Sequence, residues 1–247
     1  HRFLADYSVN LSGITSAETY LDIDKLTAAI KTSKADGVHP GYGFLSESEI
    51  FAAAIGKTGA KFIGPTVKSM QMMGNKISAR ELMAKHDVPT VPGSKERLKN
   101  EADLKTVVKE IGYPIILKAA AGGGGRGMRV VRKDSELKES LEACQREAIS
   151  YFGNGDVFCE RFVENPRHIE FQVLFDEHGN GVHLFERDCS VQRRHQKLLE
   201  EAPSAFLNEA QRKKLGETAV RAAKAANYHG AGTVEFICDS PEDAYFM

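Results

Sequence analysis

Four consecutive glycines, Gly122 to Gly125, stand between two stretches of β-strand character, and this arrangement constrains the fold more than any other feature of the sequence. The first stretch, Ile115 to Leu117, ends in Lys118, and the second, Arg129 to Val131, follows soon after Arg126. Glycines have no Cβ, so their backbone N–H groups can approach a ligand closely. Cations on both sides favour an anionic ligand such as a polyphosphate. The segment therefore predicts a glycine-tipped hairpin, a mobile flap able to close over phosphates.

The residues after the glycines separate this segment from the two commoner nucleotide-binding loops. Gly122, Gly124 and Gly127 match the pattern G-x-G-x-x-G, but a dinucleotide-binding loop leads from a strand into a helix. Here the glycines lead into Met128 to Val131, which is typical of another strand. A Walker P-loop requires Gly-Lys-Ser/Thr, and none follows. The remaining alternative to a phosphate flap is a flexible hairpin with no ligand.

The composition sets broad limits on the class of protein. With 247 residues, 42% of them hydrophobic, the chain is long enough for one large or two modest domains with a substantial core. The formal net charge of −1 gives no general attraction to nucleic acid or membrane, and no apolar run approaches the roughly 18 residues that span a bilayer. Four widely spaced cysteines without a C-x-x-C pair argue against a zinc site. They predict reduced thiols, in the cytoplasm or the mitochondrial matrix.

Hydrophobic periodicity and end signals predict alternating helices and strands. Ser46 and Glu49 form an expected capping box for a helix that Gly59 ends. Two prolines in 88–93 predict a domain boundary. The remaining predicted elements are a short strand over 61–64, a helix over 66–86 broken near Gly74, a helix from Asn100 to Gly112, a helix starting near 134, a strand over 156–163, a hairpin of 167–175 with 182–187, a helix over 208–226, and strands over 232–238 and from 244.

Three ionisable residues, Lys118, Glu160 and Glu235, lie inside apolar runs that read as strands. Burying an unpaired charge is costly, so each of them needs a counter-ion, a metal or a ligand if it is buried. The alternative interpretation is that each points to the solvated face of a half-buried strand. Beside a phosphate site, Glu235 would suit a Mg²⁺ ligand, because Mg²⁺ prefers carboxylate oxygens and bridges phosphates.

A second dense cluster of basic residues lies within 186–197. One interpretation is a small-anion site, with Lys197 as a point charge and Gln192 as a hydrogen-bonding partner. The alternatives are a solvated basic loop and a nucleic-acid contact, but interleaved aromatics and a domain-wide basic excess are both lacking. His168, taken alone, is more often a satisfied structural histidine. The basic residues of the cluster are Arg187, Arg193, Arg194, His195 and Lys197.

Eight segments spread along the chain form a highly specific combination: 39–47, 73–78, 112–118, 122–128, 164–170, 186–197, 200–203 and 230–236. Together they resemble biotin carboxylase of the ATP-grasp superfamily, the module found in acetyl-CoA, propionyl-CoA, methylcrotonyl-CoA and pyruvate carboxylases. The resemblance implies an α/β fold of the ATP-grasp type with a glycine-loop lid domain, part of an N-terminal Rossmann-like domain and an incomplete C-terminal sheet domain. The implied boundaries are 1–74 for the N-terminal remainder, 75–89 for a connecting helix, 90–162 for the lid domain and 163–247 for the C-terminal domain.

The resemblance also implies roles for individual residues. Lys76 and Lys118 resemble the ATP-contacting lysines of the family, and Lys197 resembles its bicarbonate ligand. Glu235 resembles one of two glutamates that bind Mg²⁺ or Mn²⁺. Residues 160–163 fall where the family binds adenine, and the glycines match its phosphate flap. The positions that match the flap and the nucleotide pocket are Gly124, Gly125, Glu160, Arg161, Phe162, Val163, His168, Gln192 and His195.

The implied activity is the ATP- and bicarbonate-dependent carboxylation of biotin through carboxyphosphate. The implied partners are a biotin carboxyl carrier domain or protein, a carboxyltransferase and a second copy in a homodimer, with no nucleic acid and no membrane. In the family, the strand that begins at 245–247 continues into a segment with the second metal glutamate, the catalytic arginine and the general base. We therefore expect this chain to be a piece cut at both ends and inactive alone.

Three other functions compete with this interpretation. Another ATP-grasp ligase, such as a carbamoyl-phosphate synthetase-like enzyme, is disfavoured by the cluster from Arg187 to Lys197. A nicotinamide-dependent oxidoreductase is disfavoured by the predicted strand after Gly127. A non-catalytic interaction fragment is disfavoured for the whole protein by the density of ligand-type side chains.

Overall fold

A computed structural model describes residues 2–120, 127–194 and 196–247, which form two compact units. The first unit contains the residues up to Gln71 together with Tyr228–Gly230, and the second contains Met72–Asn227 with Ala231–Met247. Helices and strands alternate along the described chain, so the predicted mixed class is confirmed. Among the helices of these residues, none combines the length and the apolar character that crossing a membrane requires.

In the first unit, two helices pack against a short pair of parallel strands. The helices are α1 (Ile23–Ser33) and α2 (Glu49–Thr58). The strands are β1 (Gly37–Val38) and β2 (Lys61–Phe62), which run parallel. Parallel neighbours require a crossover, and α2 supplies it. The buried residues of this small core are Ile30, Phe51, Ile55 and Ala60.

The start of α2 differs from the prediction. Ser48, in extended conformation, is the N-cap, and its side chain accepts a first-turn N–H at 3.2 Å. Ser46 lies in a preceding turn, where its N–H donates to the carbonyl of Gly43 at 3.0 Å. The expected capping box of Ser46 and Glu49 is therefore wrong, because the turn holds the first serine outside the helix. At the other end, Gly59 ends α2 in the left-handed region at φ 88°, as predicted.

Three further predicted helices match the structure, the first of them as two helices on either side of its predicted break. The break expected near Gly74 separates α3 (Val67–Gly74) from α4 (Lys76–Lys85), because Asn75 leaves the helical conformation and caps α4. Asn100 caps α5 (Glu101–Ile111), as predicted. The helix expected to start near 134 is a short 3-10 turn followed by α6 (Leu137–Phe152).

The predicted glycine hairpin lies in a three-stranded antiparallel sheet of order β4-β3-β5. Lys118 of β3 pairs with Met128 of β4, so the glycines do lead into a second strand. Residues 121–126, including the predicted flap glycines Gly124 and Gly125, lie outside the described residues. One face of the sheet packs against α5 and α6 in a continuous apolar core. The strands are β3 (Ile115–Ala119), β4 (Met128–Val131) and β5 (Val157–Arg161).

The second sheet has five strands in the order β10-β9-β6-β7-β8. The predicted hairpin of β6 and β7 is confirmed, and Asp176 stabilises its turn by accepting the N–H groups of His178 and Asn180 at 2.8 Å. The helix α7 (Glu209–Ala225), capped by Asn208, covers one face. The strands are β6 (Arg167–Phe175), β7 (Gly181–Arg193), β8 (Gln196–Glu201), β9 (Gly230–Cys238) and β10 (Ala244–Phe246).

The alternation of side chains along β7 places its charged residues on two different faces. Glu186 faces α7, where it accepts the Nε–H of Arg212 at 2.6 Å, and Asp188 lies on the same side. Arg187, the residue between them, is register partner of Glu170 on β6 and faces the other way. The face covered by α7 therefore buries Glu186 and Asp188, and the opposite face carries Arg187 and Glu170.

Glycine at position 93 lets a backbone segment approach β5 very closely. Gly93 forms an isolated bridge with Glu160, and the N–H of Ser94 donates to the carbonyl of Cys159 at 2.8 Å. A Cβ added to Gly93 would lie 2.2 Å from that carbonyl oxygen. Because a backbone atom cannot move aside as a flexible side chain can, only glycine fits here without shifting β5.

We predict that Gly93→Ala lowers the free energy of unfolding by about 3 kcal/mol, since the new methyl group must push two backbone segments apart. Denaturant unfolding of the purified protein measures the change. Gly56→Ala is the control: Gly56 lies in α2 with nothing within 4 Å of its added Cβ. There the substitution should raise stability by up to about 1 kcal/mol. Equal stabilities of the two variants would contradict the close approach.

All four cysteines are free and buried, as the prediction of reduced thiols requires. Burial raises the pKa of Cys144 and Cys189 to about 11. It raises the pKa of Cys159 and Cys238 to about 12. A thiol whose pKa is higher in the folded state than in the unfolded chain keeps its proton longer when folded. The contribution of these thiols to the free energy of unfolding is therefore fully present below about pH 9, the pKa of the thiol in the unfolded chain. It is lost progressively as the pH rises from there toward the pKa in the folded state.

We predict that Cys159→Ala makes the protein less sensitive to alkaline pH. Each such thiol steepens the loss of unfolding free energy above pH 9 by up to about 1.4 kcal/mol per pH unit. Unfolding free energies at several pH values between 8 and 10.5 give the slope for the parent and the variant, so the constant cost of the lost packing cancels. Identical slopes would contradict the raised pKa of Cys159.

Candidate functional site

Lys118 and Glu160 lie on the same face of the three-stranded sheet. In the antiparallel pairing of β3 and β5, Ile116 is opposite Glu160 and Lys118 is opposite Phe158. The two charged residues are therefore diagonal neighbours, close enough for long side chains to meet. The other face of these strands packs into the core against α5 and α6. Strand alternation thus turns both charges away from the core and toward α4.

The carboxylate of Glu160 is buried and holds a cation on each oxygen. Glu160 as a whole is 5% exposed. Oε2 accepts a hydrogen bond from Lys118 Nζ at 2.5 Å, and Oε1 accepts one from Arg80 Nη1. The interpretation that Glu160 points to a solvated face is wrong, because Arg80 of α4 covers the carboxylate and supplies a counter-ion.

Arg80 is the residue of this site that sequence reasoning missed. Its Nη2 donates to the carbonyl of Val91 at 2.7 Å, and its guanidinium lies 5.8 Å from the ring centroid of Phe158. One sequence signal was present: Arg80 follows Lys76 at i+4, which places both on one face of a helix. The helix and the strand of Glu160 were both predicted, but the local pattern did not indicate that they pack against each other.

Lys76 completes this group, which we name the Glu160 cluster (Lys76, Arg80, Lys118 and Glu160). The N–H of Lys76 donates to the carbonyl of Ala120 at 3.3 Å, so the start of α4 lies beside the end of β3. Burial lowers the pKa of Lys76, the Lys118 ammonium lowers it further, and the Glu160 carboxylate partly offsets both. Three basic side chains around one carboxylate leave an excess of positive charge where the glycine segment begins, which suits a polyanion.

The residues after Glu160 leave β5 along a backbone path that is already hydrogen-bonded. The N–H of Arg161 donates to the carbonyl of Pro92 at 2.8 Å, and the N–H of Phe162 donates to the carbonyl of Pro114 at 2.8 Å. Val163 is buried. A ligand that contacts this edge therefore finds the N–H groups of Arg161 and Phe162 occupied. The adenine-binding role that the resemblance implies for 160–163 stays a prediction.

The Arg161 side chain turns toward the second sheet. Its guanidinium lies 5.5 Å from the ring centroid of Tyr245 on β10, and Nη2 donates to the Tyr245 hydroxyl at 3.2 Å. The same nitrogen is 3.5 Å from a carboxylate oxygen of Asp239. Arg161 thus connects β5 to the β9–β10 end of the larger sheet, a contact that the sequence did not indicate.

A second group of side chains, the Lys197 cluster, lies on the face of the larger sheet opposite α7. Lys197 Nζ donates to Glu235 Oε1 at 2.7 Å and also to Glu170 Oε2. Arg187 Nε donates to the other oxygen of Glu170 at 2.6 Å. Four neighbouring strands supply its members, which are His168 and Glu170 of β6, Arg187 and Gln192 of β7, Lys197 of β8 and Glu235 of β9.

The charges of the Lys197 cluster stabilise one another. The contact with His168 lowers the pKa of Glu235 most, burial opposes it, and the hydrogen bond from Lys197 lowers it again, to about 2. Desolvation lowers the pKa of Lys197, but its hydrogen bonds to Glu170 and Glu235 outweigh this and raise it. Near neutral pH the cluster therefore holds a permanently charged ammonium beside an ionised carboxylate.

The hydrogen bonds of Gln192 define the tautomer of His168. The Gln192 amide nitrogen donates to the carbonyl of Cys189 at 2.8 Å and lies 2.8 Å from His168 Nδ1. An amide N–H₂ group only donates, so Nδ1 accepts and the ring proton sits on Nε2. That nitrogen is 3.3 Å from Glu235 Oε2. The contact with Glu235 places His168 in the cluster.

The basic residues of 186–197 divide into two sets. Arg187 and Lys197 turn inward and bind Glu170, whereas Arg193 and Arg194 are exposed. The solvated-loop interpretation therefore applies to the two exposed arginines. The small-anion site with Lys197 and Gln192 stays a prediction. Position 195 lies outside the described residues, so the expected role of His195 stays a prediction. Glu170 accepts hydrogen bonds from both inward-facing cations. The sequence included it in segment 164–170 but did not predict a role for it.

The donor atoms of the Lys197 cluster fit a divalent cation in part. His168, Glu170 and Glu235 each place one ligand atom within 4.8 Å of the others. Carboxylate oxygens suit Mg²⁺. Glu170 already forms ion pairs with both Lys197 and Arg187, so its negative charge is neutralised within the cluster. Glu235 is ionised and partly exposed, and it is the member that best fits a Mg²⁺ ligand.

Two family models match the chain and between them cover nearly all of it. Residues 75–247 match the ATP binding domain of the carbamoyl-phosphate synthase L chain. Residues 1–70 match the N-terminal domain of biotin carboxylase. The biotin carboxylase of Nostoc sp. is 51% identical over 247 residues, which is 100% of this chain and 55% of that protein.

Two solved structures share both sequence and fold with the chain. The biotin carboxylase of Campylobacter jejuni, in a β,γ-ATP complex, has a TM-score of 0.94 and 48% identity, over 99% of this chain and 55% of that one. The biotin carboxylase domain dimer of Hydrogenobacter thermophilus 2-oxoglutarate carboxylase, with MgADP, ADP and bicarbonate, has a TM-score of 0.88 and 48% identity. That match covers 95% of this chain and 52% of the other. The chain spans about half the length of these relatives.

We predict that Glu160→Gln lowers the free energy of unfolding by about 3 kcal/mol, because it leaves the charges of Arg80 and Lys118 buried without a carboxylate. Glu164→Gln is the matched control. Glu164 pairs with Arg132 at 2.6 Å, but the two side chains are 52% and 60% exposed. Loss of such an exposed pair should cost no more than about 1 kcal/mol. Denaturant unfolding compares the two variants, and similar losses would contradict a buried ion pair at Glu160.

Proposed function

The chain belongs to the biotin carboxylase family of ATP-grasp proteins, and we propose that the protein containing it carboxylates biotin with ATP and bicarbonate. The observation that carries the proposal is its match, at 48% identity, to a biotin carboxylase domain solved with MgADP and bicarbonate together. The two clusters support it, because one offers excess positive charge for phosphates and the other offers a fixed cation for a small anion.

The Glu160 cluster and its surroundings form the proposed ATP site. Lys76 and Lys118 would bind phosphate oxygens, below a flap that contains Gly124 and Gly125. The strand end from Glu160 to Val163 would contact the adenine. The positions proposed to complete the nucleotide pocket are His168, Gln192 and His195.

Lys197 is the proposed bicarbonate ligand. Its ammonium is held between Glu170 and Glu235, which support its charge near neutral pH. An ammonium has three N–H donors, and among the described residues two of them donate to these carboxylates, so the third would donate to the anion. Glu235 is proposed as a ligand of Mg²⁺ or Mn²⁺, which neutralises phosphate charge when bound.

The proposed chemistry requires charge neutralisation and alignment more than proton transfer by side chains. A bicarbonate oxygen attacks the γ-phosphorus of ATP and gives carboxyphosphate and ADP. Carboxyphosphate decomposes to CO₂ and phosphate, phosphate removes a proton from biotin, and the biotin nitrogen takes up CO₂. The lysines of both clusters would hold the two anions together in a site where fixed donors replace water.

The proposed partners follow from the same family. A biotin carboxyl carrier domain would deliver biotin, and a carboxyltransferase would use the product. A homodimer is proposed because the Hydrogenobacter relative was solved as a dimer. The cytoplasm or the mitochondrial matrix is the proposed location, which the four free thiols support.

The alternative is a carbamoyl-phosphate synthetase-like ligase, whose ATP-binding domain model covers residues 75–247. The two reactions share the phosphorylation of bicarbonate and differ in the acceptor. The match of residues 1–70 to the biotin carboxylase N-terminal domain favours biotin.

We predict that the whole protein transfers isotopically labelled bicarbonate to biotin in the presence of MgATP, and that Lys197→Gln lowers this rate at least 100-fold by removing the fixed cation. Lys133→Gln is the control, because Lys133 is 68% exposed and pairs with Glu136, three residues away on the surface. It should keep the parental rate. Label transfer that required ammonia or glutamine instead of biotin would favour the alternative ligase.

A further inference from the structure

The position of Arg80 is defined by contacts on two sides of its guanidinium. Nη1 donates to Glu160, Nη2 donates to the Val91 carbonyl at 2.7 Å, and one face lies over the ring of Phe158. Its side chain is only 15% exposed. A guanidinium anchored in this way cannot follow a ligand, so any effect of Arg80 on a ligand must pass through the groups it holds.

Glu160 is the group through which such an effect would pass. Its two oxygens are divided, one for Arg80 and one for Lys118. Lys76 lies one turn before Arg80 on the same face of α4, beside the end of β3, and this carboxylate partly offsets the lowering of its pKa. Glu160 therefore competes with any bound anion for the same two ammonium groups, and Arg80 is the cation that keeps part of its charge occupied.

We propose that Arg80 is a positioning residue for ATP: by occupying one oxygen of Glu160, it leaves the ammonium groups of Lys118 and Lys76 available to the phosphates. The inference rests on the proposed function, since it concerns the same nucleotide site. Without Arg80, both oxygens of Glu160 face the lysines, and a buried carboxylate attracts an ammonium strongly at such short distances. The phosphates of ATP then bind to a site with one positive charge fewer and a stronger internal competitor.

The test uses the whole protein and measures both MgATP affinity, by calorimetry, and the steady-state constants of the carboxylation. Arg80→Met should raise the Kd and the KM for MgATP about tenfold and leave kcat within about threefold. Arg80→Lys should restore most of the affinity, because an ammonium can still donate to Glu160. Arg97→Met is the matched control, because Arg97 is 59% exposed and pairs with Asp156 at 3.1 Å. The Arg97→Met variant should bind MgATP with the affinity of the unmodified protein.

A second comparison separates this role from a structural one. If Arg80 acts through Glu160, Arg80→Met should change the Kd less than twofold in a Glu160→Gln background. If it acts through the Val91 carbonyl or the Phe158 ring, the tenfold loss should persist there, and the proposal is overturned. Arg80→Gln, which keeps a donor for Val91 without the charge, is the second variant if Arg80→Met folds poorly. Parental affinity in Arg80→Gln would also overturn the proposal.

The same measurements distinguish failure of this inference from failure of the proposed function. A parent protein that binds MgATP but does not carboxylate biotin would refute the carboxylase reaction, while the affinities of the Arg80 variants would still decide the role of Arg80. A parent that binds no MgATP would overturn both. Parental affinity in Arg80→Met, with carboxylation intact in the parent, would overturn only the inference about Arg80.

Discussion

A carboxylate removed from water must be matched by positive charge, and the buried Glu160 imposes this condition on three elements of the structure. β5 carries the carboxylate, β3 brings Lys118 to one oxygen, and α4 brings Arg80 to the other. Gly93 admits a further backbone segment against the same strand. The ion pairs therefore specify how the helix and the sheet meet, and they gather basic groups at the base of the glycine segment.

The larger sheet applies the same principle to a different set of charges. Glu170 and Glu235 hold Lys197 between them, and Arg187 neutralises what remains of Glu170. Each strand contributes only one or two of these groups, so the cluster exists only when four strands are in register. An ammonium supported in this way stays charged without being immobilised by a single partner. The proposed role of Lys197 as a bicarbonate ligand requires this property.

The elements could be predicted well because their signals are local. Asn100 and Gly112 define the ends of α5 by capping chemistry. The side chains of α6 that recur at helical spacing, Leu137, Leu141, Cys144 and Ala148, are buried. The capping box at Ser46 failed for an equally local reason, a turn that competes for the same residue. The solvated-face interpretation of Glu160 failed for a different reason. Strand alternation predicts that its side chain points away from the core, but not that another element covers that face.

The sequence alone determined the class of elements, the strand–glycine–strand order, the free thiols and the family resemblance, because each depends on neighbours along the chain or on spaced motifs. The tertiary structure decided which charges meet. Arg80 and Glu160 are separated by 80 positions and Lys197 and Glu235 by 38, yet each pair is in contact. The physical reason is that electrostatic pairing depends on distance in space and on burial, and both arise only when helices and strands have packed.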